Sequence, residues 1–174
     1  MTVVALDEKR REAAIWDLLE EVPDPEVPAL SIRDLGVVRD VRVDENGAVR
    51  LAVTPTYSGC PATAAINLSI RDRLLRAGYD NVAIDIVLAP AWTTDWISDE
   101  GKRKLRDYGI APPVGKAADE GAGRGTLFGV DPDVPCPHCG SAATEKVSEF
   151  GSTACKAQYR CTDCLEPFEY FKCI

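Results

Sequence analysis

The sequence lacks several features on which common protein activities depend. Its 174 residues include a single histidine, which excludes a diiron site built from Glu-x-x-His pairs on bundle helices. Neither a G-x-G-x-x-G fingerprint nor a phosphate-binding loop is present, so the usual devices for nicotinamide binding and nucleotide hydrolysis are missing. No apolar run approaches the roughly 18 residues of a membrane helix, and the first residues become charged too early for a secretory signal. We therefore expect a cytoplasmic protein with no membrane segment.

Basic residues are also in the minority, with 20 lysines and arginines against 28 aspartates and glutamates. The net charge of −8 leaves the chain without the extended positive field that non-specific nucleic-acid binding requires. We therefore expect protein partners and no nucleic acid.

Apolar residues make up 45% of the chain, which is enough for a folded core. Their spacing predicts, in chain order, a helix over 8–22, strands over 37–43 and 48–54, a helix over 61–77, a strand over 81–88 and a helix over 98–109. Asn46-Gly47 predicts a hairpin between the first two strands. This order predicts an α+β domain with helices on one face of a sheet, and Ala65, Leu68 and Leu75 on the apolar face of the second helix.

The predicted elements divide the chain into two domains. Residues 111–134 are rich in glycine, proline and alanine and show no sustained period, which is typical of a linker. The first domain is then 1–110, and 135–174 form a second domain that is too short to build a large core without a metal or another staple.

Cysteines meet that need in the second domain. Thiols stay reduced in the cytoplasm, so cysteines paired as C-x-x-C indicate metal or redox chemistry better than disulfides. Two such pairs are present, Cys136 with Cys139 and Cys161 with Cys164. Their spacing is typical of a tetrahedral four-thiolate zinc site in a zinc ribbon, although four thiolates can also hold an iron–sulfur cluster.

Three further residues of the second domain are not among these four cysteines. His138 lies inside the first pair and is expected to be an exposed turn residue. Cys155 and Cys173 exceed a four-cysteine site; either could pack as a small apolar residue or complete an alternative site.

Cys60 lies where a strand ends and Pro61 begins a helix. The positive end of the helix dipole favours a thiolate there, which could hold iron or a persulfide. The alternative is a buried cysteine that serves as a small hydrophobe or a cap.

An acidic turn precedes the first strand. Pro25 and Pro28 fix the backbone around Asp24 and Glu26, and Asp34 follows. These carboxylates could act as acid or base, or could cap the turn through their oxygens.

The motifs in combination identify a family. DPEVPALSIRDLGVV over 24–38 and TPTYSGCPA over 54–62 resemble iron–sulfur assembly adaptors and SufT-like maturation factors. With APAWTTDWISDEGKRKLRDYGIAPP over 89–113 and the cysteine-rich carboxy-terminal segment, nearly the whole chain resembles the PaaD-like family, the D component of phenylacetyl-CoA epoxidase.

This resemblance implies an accessory subunit of the multicomponent monooxygenase that epoxidises phenylacetyl-CoA in aerobic phenylacetate degradation. It implies help in maturing an iron–sulfur or other metallocentre, with oxygenase or reductase subunits and the iron–sulfur assembly machinery as partners. The adaptor motif falls on Asp24, Pro25 and Glu26 and its reactive cysteine on Cys60, with Cys155 or Cys173 as further candidates for a transient site. Two alternatives stay open: a purely structural assembly subunit, and an iron–sulfur electron-transfer protein.

Overall fold

A computed structural model describes residues 3–115 and 132–174. The chain divides into two compact units, Met1–Trp92 and Thr93–Ile174. Each unit has its own sheet, of three strands in the first and four in the second. The predicted α+β class is confirmed. Among the described helices, none combines the length and the apolar character that crossing a membrane requires.

Three strands form the sheet of the first unit: β1, Val38–Val43; β2, Val49–Val53; and β3, Val82–Ile86. β1 and β2 pair antiparallel, as the predicted hairpin requires, and β3 joins β2 in parallel. Gly47 has a φ of +82° in the hairpin turn, a conformation that glycine adopts without the clash of a Cβ. The Asp44 carboxylate closes the turn by accepting the N–H groups of Asn46 and Ala48 at 2.9 and 2.8 Å.

Two helices cover one face of this sheet: α1, Val3–Glu20, and α2, Ala62–Arg76. Ile15 and Leu19 of α1 are fully buried, because residues four apart lie on the same side of a helix. Arg42 and Arg50 are exposed on the opposite face of the sheet. The arrangement agrees with the prediction from the sequence, in which the helices lie on one face of the sheet.

The predicted apolar face of α2 is wrong in detail. The residues that α2 buries are Ala62, Ile66, Ile70 and Leu74. The predicted residues Leu68 and Leu75 are 70% and 57% exposed, and Ala65 is exposed too. α2 carries two apolar stripes, and the sheet that it covers decides which of them is buried. That sheet is not encoded in the spacing within the helix.

The second unit contains α3, Asp99–Asp107, followed by four strands. The strands are β4, Ile110–Ala111; β5, Thr144–Ser148; β6, Lys156–Cys161; and β7, Pro167–Phe171. They lie in the order β4-β7-β6-β5, with β4 parallel to β7 and the other pairs antiparallel. Tyr159 packs between Phe168 and Tyr170, with ring centroids 5.8 and 5.5 Å away. The core of the ribbon is therefore small and largely aromatic.

The units divide earlier than the sequence predicts. The first domain is predicted to end at residue 110, but the compact units divide after Trp92. Because Ile110 and Ala111 pair with β7, α3 and β4 belong to the second unit.

The predicted linker over 111–134 also has ordered ends. Ala111 and Val134 are both buried in the core of the ribbon, at 1% and 0% exposure. The Val134 carbonyl accepts the hydroxyl hydrogen of Thr144 at 2.8 Å, which ties it to β5. The middle of the predicted linker, 116–131, lies outside the described residues.

Candidate metal centre

The first C-x-x-C pair forms a tight turn before β5. The Gly140 N–H donates to the Cys136 carbonyl, and the Cys136 N–H donates to the Ser141 carbonyl, both at 2.9 Å. Gly140 has a φ of +77°, where a side chain would be strained. The backbone therefore folds back on itself and turns both thiols of the pair to one side.

The second pair lies where β6 ends. The Cys161 N–H donates to the Glu166 carbonyl at 3.0 Å and closes the turn. Leu165 follows the second cysteine with a φ of +64°, the position that glycine occupies in the first turn. Hydrogen bonds join the two turns: the Ser141 hydroxyl donates to Asp163, and the Thr162 N–H donates to the Ala143 carbonyl at 2.8 Å.

The four sulfur atoms are brought together at the spacing of a tetrahedral metal site. Cys136 Sγ lies 3.7 Å from Cys164 Sγ, and Cys139 Sγ lies 3.6 Å from Cys161 Sγ. All four atoms lie within 4.8 Å of one another. Four ligands at about 2.3 Å from one ion stand about 3.8 Å apart, whereas disulfide sulfurs are about 2.05 Å apart. The donor set therefore fits a metal ion.

Local hydrogen bonds favour the ligating form of one thiol. The Cys164 N–H donates to Cys161 Sγ at 3.5 Å. This bond, together with one from the Asp163 backbone, outweighs the effect of burial and lowers the pKa of Cys161 to about 7. The thiolate is the form that binds metals, so these N–H groups favour the ligating form of Cys161, whereas burial and the neighbouring thiols raise the pKa of Cys139 and of Cys164.

His138 stands apart from the sulfur cluster. It is exposed in the first turn, as the sequence predicts, and the cluster of potential ligands in the described residues does not include it. A Cβ added at Gly109 would come within 3.1 Å of His138 Cε1. The imidazole thus lies over the glycine that separates α3 from β4.

The two surplus cysteines lie at the other end of the ribbon. Cys155 precedes β6, and Cys161 ends that strand six positions later, about 20 Å along it. Cys155 is 4% exposed, and its Sγ lies 3.0 Å from the Thr153 hydroxyl. Cys173 Sγ donates to the Val114 carbonyl at 3.0 Å. Neither thiol joins the ligand cluster found among the described residues.

Cys60 lies at the amino end of α2, directly before the cap residue Pro61. The Cys60 N–H donates to the Tyr57 carbonyl at 3.1 Å, and its own carbonyl accepts the Thr63 N–H at 3.2 Å. The side chain is half-buried. The preceding Gly59 has a φ of +92° and open space where a Cβ would stand. The thiol is therefore held in a defined turn and remains accessible.

The acidic turn is organised by its own carboxylates. Asp24 is 6% exposed, and its Oδ1 accepts the N–H groups of Glu26 and Val27 at 3.0 and 2.7 Å. Ser31 and Asp34 cap each other: the Ser31 N–H donates to Asp34 Oδ2 at 3.0 Å, and the Asp34 N–H to the Ser31 hydroxyl at 2.9 Å. Of the two roles that the sequence allows for these carboxylates, acid or base and cap, the contacts are those of a cap.

The acidic turn and Cys60 attach to the same end of the sheet. Val38 begins β1 and pairs with Val53 at the end of β2, and the Thr54 N–H donates to the Val37 carbonyl at 2.8 Å. The acidic turn leads into Val37, and the loop that carries Cys60 leaves from Thr54. Chain topology therefore places both motifs beyond this end.

One feature of the ribbon was missed from the sequence. Lys156 is 2% exposed, and its Nζ lies 2.8 Å from Glu169 Oε2. The Ser152 N–H donates to Glu169 Oε1 at 2.5 Å. Burial raises the pKa of Glu169, but the contacts with Lys156 and Ser152 outweigh burial and lower this pKa below its usual value. The pair anchors the FGSTAC segment to β7, and only the strand register could have revealed it.

Two protein families match this chain over separate regions. An iron–sulfur cluster assembly protein family matches residues 12–86, which include the acidic turn and Cys60. The PaaD zinc beta ribbon domain matches residues 121–172, which include all four clustered cysteines.

Some individual relatives match nearly the whole chain, and others match about half of it. An Escherichia coli protein, provisionally named as the D component of 1,2-phenylacetyl-CoA epoxidase, is 49% identical over 160 residues and 92% of each chain. A Porphyromonas gingivalis protein named Fe-S protein maturation auxiliary factor is 34% identical over 54% of this chain and 90% of its own. The crystal structure of a DUF59 domain from Bacillus anthracis, 29% identical, matches 58% of this chain and 96% of its own with a TM-score of 0.55.

Proposed function

The chain belongs to the PaaD-like family, the D component of phenylacetyl-CoA epoxidase, and from this premise we propose that it is an accessory factor that assists maturation of a metallocentre in the epoxidase. It works on the oxygenase or reductase subunits of that system, with iron–sulfur assembly machinery as a further partner, and has no catalytic role in epoxidation. The metallocentre is an iron–sulfur cluster or another iron centre of the enzyme.

The observation that carries this proposal is the placement of Cys60. It is a half-exposed thiol at a helix amino end, inside the region that matches iron–sulfur cluster assembly proteins. The Porphyromonas gingivalis relative, which matches 54% of this chain, is named Fe-S protein maturation auxiliary factor. A thiol in such a position can take up iron or a cluster transiently and release it again, because a single protein ligand leaves the other coordination sites to the partner.

The four clustered cysteines have a different role in this proposal. Cys136, Cys139, Cys161 and Cys164 hold one zinc ion, which adds to the stability that the small aromatic core of the ribbon provides. Four thiolates fill the coordination shell and leave no open position for a substrate. The ion therefore supplies structure and no chemistry.

The test measures metal together with client maturation. Purified without oxygen, the protein should contain about one zinc per chain and no sulfide, and Cys161→Ser should lose the zinc. Cys60→Ser should keep the zinc and the fold but lower the cluster content of the reductase subunit matured in its presence. Ser58→Ala, at an exposed residue of the same turn, is the control and should leave both the zinc and the client loading unchanged. Full client loading with Cys60→Ser would refute the transient site.

A purely structural assembly subunit is the second candidate. Large apolar residues are exposed on the ribbon, among them Val147, Phe150 and Leu165 at 61%, 64% and 70%, and a docking surface would bury such side chains. This candidate predicts a stable stoichiometric complex with the epoxidase that Cys60→Ser does not alter.

An electron-transfer role would instead require iron and sulfide in the four-cysteine site, with a visible absorption that dithionite bleaches.

A further inference from the structure

Among the described strands, none covers the outer edge of β3, since the sheet order ends at β3. The Val49 N–H donates to the Asn81 carbonyl at 2.8 Å and the Val87 N–H to the Val53 carbonyl at 2.9 Å. In a parallel pair, alternate residues turn their backbone groups to the same side. Odd-numbered residues of β3 therefore face β2, while the backbone groups of Ile84 and Ile86 point outward.

One outward group of this edge has a partner, and it locates α2. Arg71 Nη1 donates to the Val82 carbonyl at 2.7 Å, so the flank of α2 that carries Arg71 lies beside β3. Leu68 and Leu75 are three residues before it and four after it, and therefore lie on this flank. They are the exposed stripe of α2, at 70% and 57%.

Apolar residues continue from this stripe to the strand. Ile86 at the end of β3 and Leu88 two residues beyond it are 46% and 61% exposed. Together with Leu68 and Leu75 they expose on the order of 400 Å², close to the apolar half of the ~800 Å² that each partner contributes to a standard interface. We call these four residues and the open edge of β3 the β3 surface.

We propose that the β3 surface is the interface of a homodimer in which β3 pairs antiparallel with β3 of a second copy. An open edge accepts a further strand, and a two-fold axis lets one surface serve both chains. The apolar area is what such a dimer needs. This inference is independent of the proposed function.

The charges on β3 select the register. An axis through Asp85 would place two aspartates directly opposite each other, which destabilises a strand pair. An axis through Ile84 would require the Val82 carbonyl that Arg71 already occupies. An axis through Ile86 avoids both, and pairs Ile84 with Leu88 of the second copy. The register centred on Ile86 is therefore the one that we assign.

Sedimentation equilibrium of the full chain tests the dimer. The mass should approach twice the 18.9 kDa of one chain. Leu68→Lys and Ile86→Lys should each raise the dissociation constant at least tenfold, with far-UV circular dichroism unchanged. Leu68→Lys lies on an exposed helix flank, so it keeps the test valid if Ile86→Lys impairs folding. Val147→Lys, also at an exposed apolar residue, is the control and should leave the mass unchanged.

Two further measurements separate this interface from other associations. Because each chain carries a net charge of −8, added salt should tighten an apolar dimer by screening the repulsion. Hydrogen exchange at the Ile84 and Ile86 amides should slow as protein concentration rises. A monomer at about 100 µM, or a dimer unaffected by both lysine substitutions, would overturn the proposal.

Discussion

Replacing Glu169 by glutamine should destabilise the ribbon more than replacing both members of its buried ion pair. Lys156 Nζ lies 2.8 Å from Glu169 Oε2, with the lysine side chain 3% exposed and the glutamate side chain 21%. Glu169→Gln leaves the ammonium group buried without a counter-charge. Lys156→Met removes the charge that needs compensation and leaves a carboxylate that water and the Ser152 N–H still reach.

The structure sets the expected magnitudes. An uncompensated buried charge costs about 3–5 kcal/mol. Because position 169 is partly exposed, we expect Glu169→Gln to lower the free energy of unfolding by about 3 kcal/mol, the lower end of that range. Lys156→Met should cost about 1–2 kcal/mol, as expected when a polar group loses its partner. The double variant should cost about 1 kcal/mol or less, because neutral pairs of similar volume replace buried ion pairs at little cost. The coupling energy is then about 3 kcal/mol.

Urea unfolding of the metal-loaded chain, followed by near-UV circular dichroism of the ribbon tyrosines, measures these differences. Glu145→Gln is the matched control: Glu145 pairs with Arg160 at 2.6 Å, but both side chains are more than half exposed, so it should change the free energy of unfolding by about 0.5 kcal/mol or less. A cost of less than about 1 kcal/mol for Glu169→Gln would contradict this prediction, as would a double variant that loses as much stability as the two single variants together.

Two other outcomes follow from the carboxylates. The pKa of Glu169 is lowered in the folded chain. The contribution of Glu169 to stability should therefore be complete above its unfolded pKa of about 4.3 and be lost as the pH falls through the lower folded value. An acid titration of stability that Glu169→Gln leaves unchanged would contradict this. Asp24→Ala leaves the N–H groups of Glu26 and Val27 without this acceptor. In urea unfolding it should lower the stability of the first unit by about 1–2 kcal/mol, whereas Asp24→Asn should cost less. Equal losses would show that the charge of Asp24 matters more than its capping hydrogen bonds.

The elements that were predicted correctly are those that short sequence signals encode. Asn46-Gly47 specifies a hairpin turn because few residues tolerate a positive φ such as the +82° of Gly47. The C-x-x-C pairs specify turns that direct two thiols to one side, and the structure brings the two pairs together. Each signal acts over a few residues, so no tertiary structure is needed to interpret it.

The features that were missed depend on contacts between distant residues. α2 has two apolar stripes, and the sheet selects the one with Ile66 and Ile70. The pairing of Ile110 and Ala111 with β7 joins residues about sixty positions apart, so a boundary drawn from composition falls too late. The Lys156–Glu169 pair likewise exists only in the observed register of β6 and β7. Periodicity within one segment does not encode these choices.

The thiols of the chain separate by environment. Four form the sulfur cluster, Cys155 is buried against Thr153, and Cys173 donates to a backbone carbonyl. Each of these six has a structural contact in the second unit that its loss would disturb. Cys60 differs because its backbone makes the contacts of the turn while its thiol stays half-exposed. A serine there should therefore leave the fold intact, and a loss of client maturation with this variant would be attributable to the sulfur atom itself.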